Sequence, residues 1–191
     1  MNKRKQVSIP GFKAGLLVLL AVLVLGCAGG IPPLVSEKTG NSAAIYIMQP
    51  TSTASISGFG TFTVGTKFQV WDNDNWLGYI GSKDYIVYYA EPGTHYFMVR
   101  GENWDIVKID VRAGRTYYLK TSDTPGFTAV RVILEPVNPG ASDLDKWLDV
   151  CRQIIPKGGA SEKMVADARA AVENAKSGKA EAKPMPVGWY R

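Results

Sequence analysis

Apolar and polar residues alternate with a period of two through the central part of the sequence, and short turn signals interrupt the alternation. Successive side chains of a β-strand point to opposite faces, so this period is typical of strands that bury one face. The alternating stretches are rich in Val, Ile, Tyr, Phe and Trp. The pattern predicts a mainly β fold, an antiparallel β-sandwich, over residues 43–137. The predicted strands are 43–49, 66–72, 76–81, 83–90, 94–101, 104–111, 115–121 and 128–136.

The alternation also predicts which side chains fill the core. In most of these strands the larger aliphatic and aromatic residues fall on one face, which we expect to be buried. The expected core residues are Phe68, Val70, Phe97, Val99, Val107, Ile109, Val111, Tyr117, Leu119, Val130 and Val132.

The predicted strands hold more aromatic residues than one buried face can take. An adjacent pair such as Tyr88-Tyr89 must point to opposite faces of its sheet. Most aromatic side chains should pack in the core or in cross-strand pairs, but an exposed aromatic patch is a candidate surface for glycan or protein. We take Trp71, Trp76 and Trp104 as the candidate binding residues.

Helical spacing replaces the alternation after a Pro-Gly pair at the end of the last predicted strand. We expect a first helix over residues 142–155, and a second that begins at Ser161 and ends at Gly178. The sequence thus predicts a C-terminal helical extension of two short helices over 141–178. A flexible tail over 179–191 should follow it.

The N-terminus has the layout of an export signal. Residues 1–13 include several basic residues and no acid, and an uncharged apolar run fills residues 14–26. A basic segment followed by a short apolar one is typical of a secretory signal, and the run is shorter than the roughly 20 residues that a spanning helix needs. We therefore assign residues 1–26 to a signal peptide.

The end of the apolar run, Val24-Leu25-Gly26-Cys27, resembles the bacterial lipobox. The resemblance implies cleavage between Gly26 and Cys27, a diacylglycerol on the Cys27 thiol and an acyl chain on its new amino group. The alternative is an ordinary secretory signal that is cut nearby, with an incidental cysteine. No Asp follows the cysteine, so the resemblance implies an outer-membrane protein that faces the periplasm. Residues 27–42, rich in Gly, Pro and Ser, would form a flexible tether.

Composition argues against some other classes of partner. Several of the 22 Lys and Arg residues lie in the signal peptide and no acid does, so the chain after it is almost neutral. This balance gives no reason to expect a nucleic-acid partner. We expect the partners to be the membrane, through the lipid, and other envelope proteins or peptidoglycan.

Motifs for catalysis and metal binding are incomplete in this sequence. Residues 58–65, GFGTFTVG, are similar to a kinase glycine loop, but the lysine, H-R-D and D-F-G motifs that complete it do not follow. Residues 72–75, DNDN, lack the further ligands of a calcium loop and are explained by a hairpin turn. His95 is the only histidine, too few ligands for zinc. We therefore expect no metal site, no catalytic residue and no cofactor apart from the lipid on Cys27.

Cys151 is the second of the two cysteines. If Cys27 carries a lipid, Cys151 has no disulfide partner within the chain, and a thiol in an exported protein can pair with another chain. Free cysteine is also among the most buried residue types, and we interpret Cys151 as a small apolar residue of the first helix.

The order of features between residues 66 and 121 resembles the PEGA-like domains, and a related domain of unknown function, that occur in bacterial lipoproteins. Those domains place a Gly within one strand, a PPG-x-H turn before a later strand and an AG-x-x-Y-Y-L stretch after that. The matching stretches here are Gly78, Glu91-Pro92-Gly93-Thr94-His95 and Ala113-Gly114-Arg115-Thr116-Tyr117-Tyr118-Leu119. The resemblance covers about residues 43–136 and implies an Ig-like β-sandwich without enzymatic activity, with a structural role for His95. The insertion at 51–65 and the helical extension depart from it.

These observations favour a non-catalytic function. We expect an envelope lipoprotein that acts as a binding or scaffolding module. The alternative is recognition of peptidoglycan through Trp71, Trp76 and Trp104, since sugar rings stack on exposed aromatic faces. An enzyme of unknown type is the third alternative.

Replacing Cys27 with Ser should abolish lipid attachment, because the thiol is the acceptor of the diacylglycerol. In cells grown with labelled palmitate, we expect label in the unchanged protein and none in Cys27→Ser. Cys151→Ser is the matched control and should keep its label. Equal labelling of the unchanged protein and Cys27→Ser would refute the assignment.

Overall fold

The computed structural model describes residues 30–50, 54–56, 60–62, 67–127 and 129–191. The predicted signal peptide and the predicted lipidation site, Gly26 and Cys27, lie outside the described residues. Within the described ranges the chain is mainly β, as predicted, and neither of the two helices found there is long and apolar enough to cross a membrane.

In the described residues, ten strands precede the first helix. The first six are β1 (Ala43–Gln49), β2 (Ala54–Ile56), β3 (Gly60–Phe62), β4 (Phe68–Asp72), β5 (Asn75–Ile80) and β6 (Asp84–Ala90). The next four are β7 (Gly93–Arg100), β8 (Trp104–Val111), β9 (Thr116–Pro125) and β10 (Val130–Val137). The C-terminal part contains α1 (Leu144–Val150), β11 (Arg152–Gln153), α2 (Glu162–Lys176) and β12 (Lys183–Pro184).

Two five-stranded sheets form the body of the molecule. The first has the order β10-β9-β1-β6-β11 and the second the order β12-β8-β7-β4-β5, while β2 and β3 form a separate pair. Most neighbours are antiparallel, but β1 lies parallel to β9, and β11 and β12 lie parallel to β6 and β8. The sheets are therefore mixed, where the sequence predicted an antiparallel fold. The alternation reports which face of a strand is buried and carries no information about the direction of a distant partner strand.

The main core lies between the two sheets. The side chains that the alternation predicted to be core are buried there, except that Val130 at the start of β10 is only half-buried. Ile45 and Ile47 of β1 and Ile86 of β6 complete the layer from the first sheet. Two sheets over one shared core make a sandwich-like β architecture.

A second apolar layer covers the outer face of the second sheet. Here α2 packs Ala168, Ala171 and Val172 against a surface that includes Trp71 and Trp76. The small side chains of the helix let it approach the indole rings closely. Strands β4 and β5 are therefore covered on both faces, by the first sheet and by α2.

The outer face of the first sheet is covered in part by α1. Leu144 of this helix is buried among Met48, Tyr118 and Val137. Along each strand, the side chains between the two sheets alternate with side chains on the outer face. Because the helices cover parts of both outer faces, side chains on those faces are buried as well. The two helices explain why the strands hold more buried aromatic residues than one core could contain.

The first helix is shorter than predicted, and the second agrees with its predicted caps. After Val150 the backbone becomes extended at Cys151, and the next residues pair with the edge of β6 as β11. Hydrogen bonds to β6 thus replace the helical bonds that the spacing predicted. In α2 the Ser161 side chain accepts a hydrogen bond from the Met164 N–H, and Gly178 follows the helix with a φ of 73°.

The described part of the N-terminal segment is hydrogen-bonded to the domain, where the sequence predicted a flexible tether. Ile31 and Ala160 exchange two backbone hydrogen bonds of 2.6 and 2.7 Å, and the Leu34 N–H donates to the Trp76 carbonyl at 2.6 Å. A Cβ at Gly30 would lie 2.5 Å from the Ala160 oxygen, so the two backbones cross only because glycine occupies this position. The Gly- and Pro-rich composition here permits close packing.

The C-terminal residues also pair with the sheets, in contrast to the predicted flexible tail. Lys183 and Pro184 lie beside β8 as β12, and Arg191 exchanges two backbone hydrogen bonds with Thr116 at the start of β9. The Tyr190 ring packs against the core. The segment has no helical or strand periodicity, so its ordering depends on partners that the local sequence does not reveal.

Side chains occupy the outer edge of β10, where another strand could otherwise pair. Asn103 donates to the Val132 carbonyl at 2.9 Å and accepts from the Val132 N–H at 2.8 Å. The Asp105 carboxylate accepts from the Leu134 N–H at 2.9 Å, and the Lys183 ammonium donates to the Leu134 carbonyl at 2.9 Å. Lys183 and Asp105 also form an ion pair at 2.6 Å. These contacts leave no row of open backbone groups at these positions for strand addition.

Asp105→Ala should lower the free energy of unfolding by about 1–3 kcal/mol, because the buried Leu134 N–H loses its acceptor. Asp110→Ala is the control on the same strand. Its carboxylate is exposed, so the change should stay within about 0.5 kcal/mol. Urea denaturation of both variants measures the difference, and equal losses would contradict the role given to Asp105.

Candidate functional site

The three tryptophans predicted as binding residues lie together, but two of them are buried. The ring centres of Trp71 and Trp76 are 4.9 Å apart, and the residues are 0% and 2% exposed. Trp76 Nε1 donates to the Gly158 carbonyl at 3.2 Å. Trp104 is half-buried, with the Arg100 guanidinium 5.1 Å from its ring centre. Trp71 and Trp76 therefore hold α2 and the loop before it against the sheet, and they do not present a face to solvent as the sequence predicted.

His95 is held by a buried carboxylate. Its Nδ1 lies 2.9 Å from an Asp72 carboxylate oxygen, and its Nε2 lies 2.9 Å from the Glu91 carbonyl oxygen. Both neighbours are acceptors, so this arrangement favours the protonated imidazole, in which both ring nitrogens donate. Burial lowers the pKa of His95, but the hydrogen bond and the negative charge of Asp72 outweigh it, and the pKa is raised above its usual value. A ring engaged at both nitrogens has no free position for a substrate proton.

The other candidates for chemistry have structural explanations. Cys151 is buried, and burial together with the nearby Asp84 carboxylate raises the pKa of its thiol to about 11, so the thiol is neutral at physiological pH. In the turn between β4 and β5, Asn73 has a φ of 54° and Asp74 pairs with Arg169 of α2 at 2.9 Å. No cluster of three or more His, Cys, Asp or Glu side chains that could hold a metal ion is found in the part of the chain that the structure describes.

An open groove beside α1 and the C-terminus is the best candidate for a binding site. Its volume is about 530 Å³, and it is lined by Trp147 and Trp189, both half-buried. We call it the tryptophan groove. Other residues of its lining are Lys120, Glu135, Pro136, Ala141 and Pro186.

The two indole rings are held by separate anchored elements. Trp147 belongs to α1, which Leu144 attaches to the first sheet, and the Lys120 ammonium lies 4.7 Å from the centre of its ring. Trp189 belongs to the C-terminal segment, which β12 holds on one side and the backbone bonds of Arg191 hold on the other. The groove is therefore part of the folded domain, and its shape does not depend on a single loop.

The chemistry of the tryptophan groove suits a ligand with both an apolar face and polar groups. Lys120 and Glu135 form a partly exposed ion pair with a distance of 3.3 Å, which offers a donor and an acceptor beside the rings. Aromatic and apolar walls with a few polar groups, in a volume between about 300 and 1,000 Å³, are typical of small-molecule sites. Sugar rings combine an apolar C–H face with hydroxyl groups at the edge, and such a face stacks on an indole.

A larger neighbouring cleft is less suited to binding. Its volume is about 610 Å³, and its lining includes Trp104, Arg131 and Asn174. However, Asp105 and Lys183 in its wall are already bonded to each other and to the β10 backbone. These polar groups stabilise the sheet edge, and the cleft offers one indole ring where the tryptophan groove offers two, so the tryptophan groove remains the better candidate.

The tryptophan groove and the docked N-terminal segment lie towards opposite edges of the two sheets. The groove is lined by residues of β9, β10 and β12, at one edge of each sheet. The N-terminal segment is bonded to Trp76 in β5 and to Tyr89 in β6, near the other edge of each sheet. Contacts between β10 and β8, and between β5 and β6, align the edges of the two sheets in this way.

Little in the sequence indicated this groove. Trp147 fell on the apolar stripe of a predicted helix, and Trp189 fell in the predicted flexible tail. A usable signal was present, however, because the last residues, PMPVGWYR, are unusually apolar for a tail. Apolar side chains in an apparent tail indicate a segment that packs on the domain.

Comparison of the chain with known protein families, with curated proteins and with solved structures finds no match. The function is therefore argued from the residues and geometry of this chain.

The His95–Asp72 pair should make the fold less stable as the pH rises. The folded pKa of His95 lies above its unfolded value of about 6.5, so the pair contributes fully below that pH and its contribution is lost as the pH rises through the folded pKa. Urea denaturation between pH 5 and 9 should show this loss in the unchanged protein. His95→Gln lacks the titrating group and should not show it. The same pH dependence in both proteins would contradict the assignment.

Proposed function

We propose that this protein is an exported lipoprotein, anchored through lipid on Cys27, whose β-domain is a non-catalytic binding module of the cell envelope. The ligand that its geometry suits best is the glycan of peptidoglycan, bound in the tryptophan groove. The observation that carries the proposal is the pair of half-buried indole rings, Trp147 and Trp189, in one anchored groove.

The sequence predicted recognition through aromatic side chains, and we now assign that role to different tryptophans. Trp71 and Trp76 are unsuited to it because they lie beneath α2, and Trp104 lines the separate cleft beside the edge of β10. Trp147 and Trp189 combine an anchored backbone with a ring that is still partly accessible. The Lys120–Glu135 pair beside them supplies hydrogen-bonding groups for hydroxyl and amide substituents of a sugar.

The position of the tryptophan groove also supports the proposal. Anchoring through Cys27 places the lipid next to the docked N-terminal segment, and the groove lies at the opposite edges of the sheets. A protein attached in this way presents its groove to the periplasm, where peptidoglycan lies.

The surroundings of the His95 ring and the Cys151 thiol favour binding over catalysis. Both nitrogens of His95 are engaged by acceptors, and burial keeps the Cys151 thiol neutral. A general base needs a free acceptor atom, and a cysteine nucleophile needs a thiolate.

Trp147→Ala and Trp189→Ala should each weaken binding to purified peptidoglycan by about two- to tenfold, since one aromatic contact contributes about 0.5–1.5 kcal/mol beyond its buried area. Co-sedimentation of the protein with peptidoglycan sacculi measures the affinity. Point variants are preferred to truncations, because α1 and the C-terminal segment are integral to the fold.

Phe127→Ala is the matched control, because Phe127 is 96% exposed and does not line the groove. It should bind like the unchanged protein. Loss of binding in all three variants would indicate a nonspecific aromatic effect. If the unchanged protein does not co-sediment but crosslinks to an envelope protein in native membranes, the glycan proposal fails in favour of a scaffolding role.

A further inference from the structure

Several exposed aliphatic side chains lie close to the N-terminal end of the described chain. Val35 is 71% exposed and Ile155 is 76% exposed, and Ile31 and Leu34 are about half exposed. Single exposed apolar residues need no explanation, but a group of large aliphatic side chains on one surface of a monomer indicates a contact surface.

Backbone hydrogen bonds hold these side chains in place. The N-terminal segment is bonded to Ala160 through Ile31 and to Trp76 through Leu34. Further along, Ser36 Oγ accepts from the Tyr89 N–H at 2.7 Å. The aliphatic side chains of residues 31–35 therefore project from a fixed backbone that lies across the open side of β5 and β6.

Ile155 lies in a loop that packs on the same side. The Ile154 N–H donates to the Tyr85 carbonyl at 2.9 Å, at the edge of β6. Pro156, two residues after Ile154, packs against Gly78. Gly78 has a φ of 124°, and its lack of a side chain leaves room for the proline ring. Gly78 is two residues along β5 from Trp76, to which Leu34 is bound. We call the surface of residues 31–38 and 152–157 the anchor edge.

The charge of the anchor edge is slightly positive. Lys38 and Lys157 lie in its two segments against a single acid, Glu37, and all three residues are exposed. Arg152 is also exposed, but its guanidinium pairs with the Asp84 carboxylate at 2.9 Å. Two lysines beside exposed aliphatic side chains are compatible with a membrane surface, where headgroups surround the hydrocarbon.

Covalent geometry limits how far the anchor edge can be from the lipid. Cys27 and Gly30 are three residues apart, and consecutive Cα atoms are about 3.8 Å apart, so their Cα atoms lie within about 11 Å of each other in any conformation. Gly30 itself packs against Ala160, beside the bridge of Ile31. A lipid on Cys27 therefore brings the membrane to this edge of the domain.

We infer that the anchor edge lies directly against the bilayer and inserts its aliphatic side chains among the lipid headgroups. The inference rests on the proposed lipid attachment at Cys27 and goes beyond it. The lipid alone attaches the domain to the membrane at one residue and leaves it free to rotate. A second contact through the anchor edge fixes the orientation of the domain. The tryptophan groove, at the opposite edges of the two sheets, then lies away from this contact.

Fluorescence of the lipidated protein in vesicles tests this orientation. Val35→Cys and Ile155→Cys are each made in a Cys151→Ala background and labelled with the environment-sensitive fluorophore NBD. Val187→Cys is the matched control, because Val187 is 96% exposed and lies beside β12 on the groove side. The purified proteins are reconstituted into vesicles of phosphatidylethanolamine and phosphatidylglycerol that contain nitroxide-labelled lipid.

We expect the label at positions 35 and 155 to shift to shorter emission wavelength and to be quenched several-fold more strongly than the label at position 187. Equal quenching at the three positions, in protein that floats with the vesicles, would overturn the orientation while leaving the lipid attachment intact. Protein that does not float would overturn the lipid attachment, and the inference with it. Circular dichroism of each labelled protein, compared with the unchanged protein, establishes that the substitutions leave the fold intact.

Discussion

Burial of Trp76 beneath α2 is the interaction on which the other parts of the structure depend. Its ring packs against Trp71 and the helix, its indole nitrogen binds Gly158 and its carbonyl binds Leu34. One residue thus joins the second sheet, α2, the loop before it and the N-terminal segment. Truncating a buried Trp typically costs about 3–5 kcal/mol, which is a large part of the stability of a domain of this size.

The domain that the contacts of Trp76 hold together has two surfaces of different character. On one side, the docked N-terminal segment and the loop around Ile155 form a fixed aliphatic surface. On the other side, Asn103, Asp105 and Lys183 block strand addition at the edge of β10, and the tryptophan groove opens beside them. A membrane anchor on the first side and a ligand site on the second are compatible with a rigid domain, since neither surface needs to move for the other to work.

The local sequence pattern predicted the strands and helix caps of this fold well. It predicted poorly which other segments of the chain pack against them. The alternation in β7 and β8 identified Phe97, Val99, Val107 and Ile109 as core residues, because one face of each strand is buried against the other sheet. It could not identify Trp71 as buried, because the outer face is covered by a helix almost 100 residues later in the chain. The caps of α2 were predicted correctly because capping depends on neighbouring residues alone.

The sequence by itself determined the mainly β core, the place where helices begin and the expectation of a lipid anchor, since each depends on spacing within a few consecutive residues. The tertiary structure alone decided that β1 pairs with β9, that residues 31–36 and the C-terminal residues pack on the domain, and that Trp147 and Trp189 share a groove. These features depend on contacts between segments far apart in the chain. Local periodicity reports only whether a residue is buried, and contains no information about its partner.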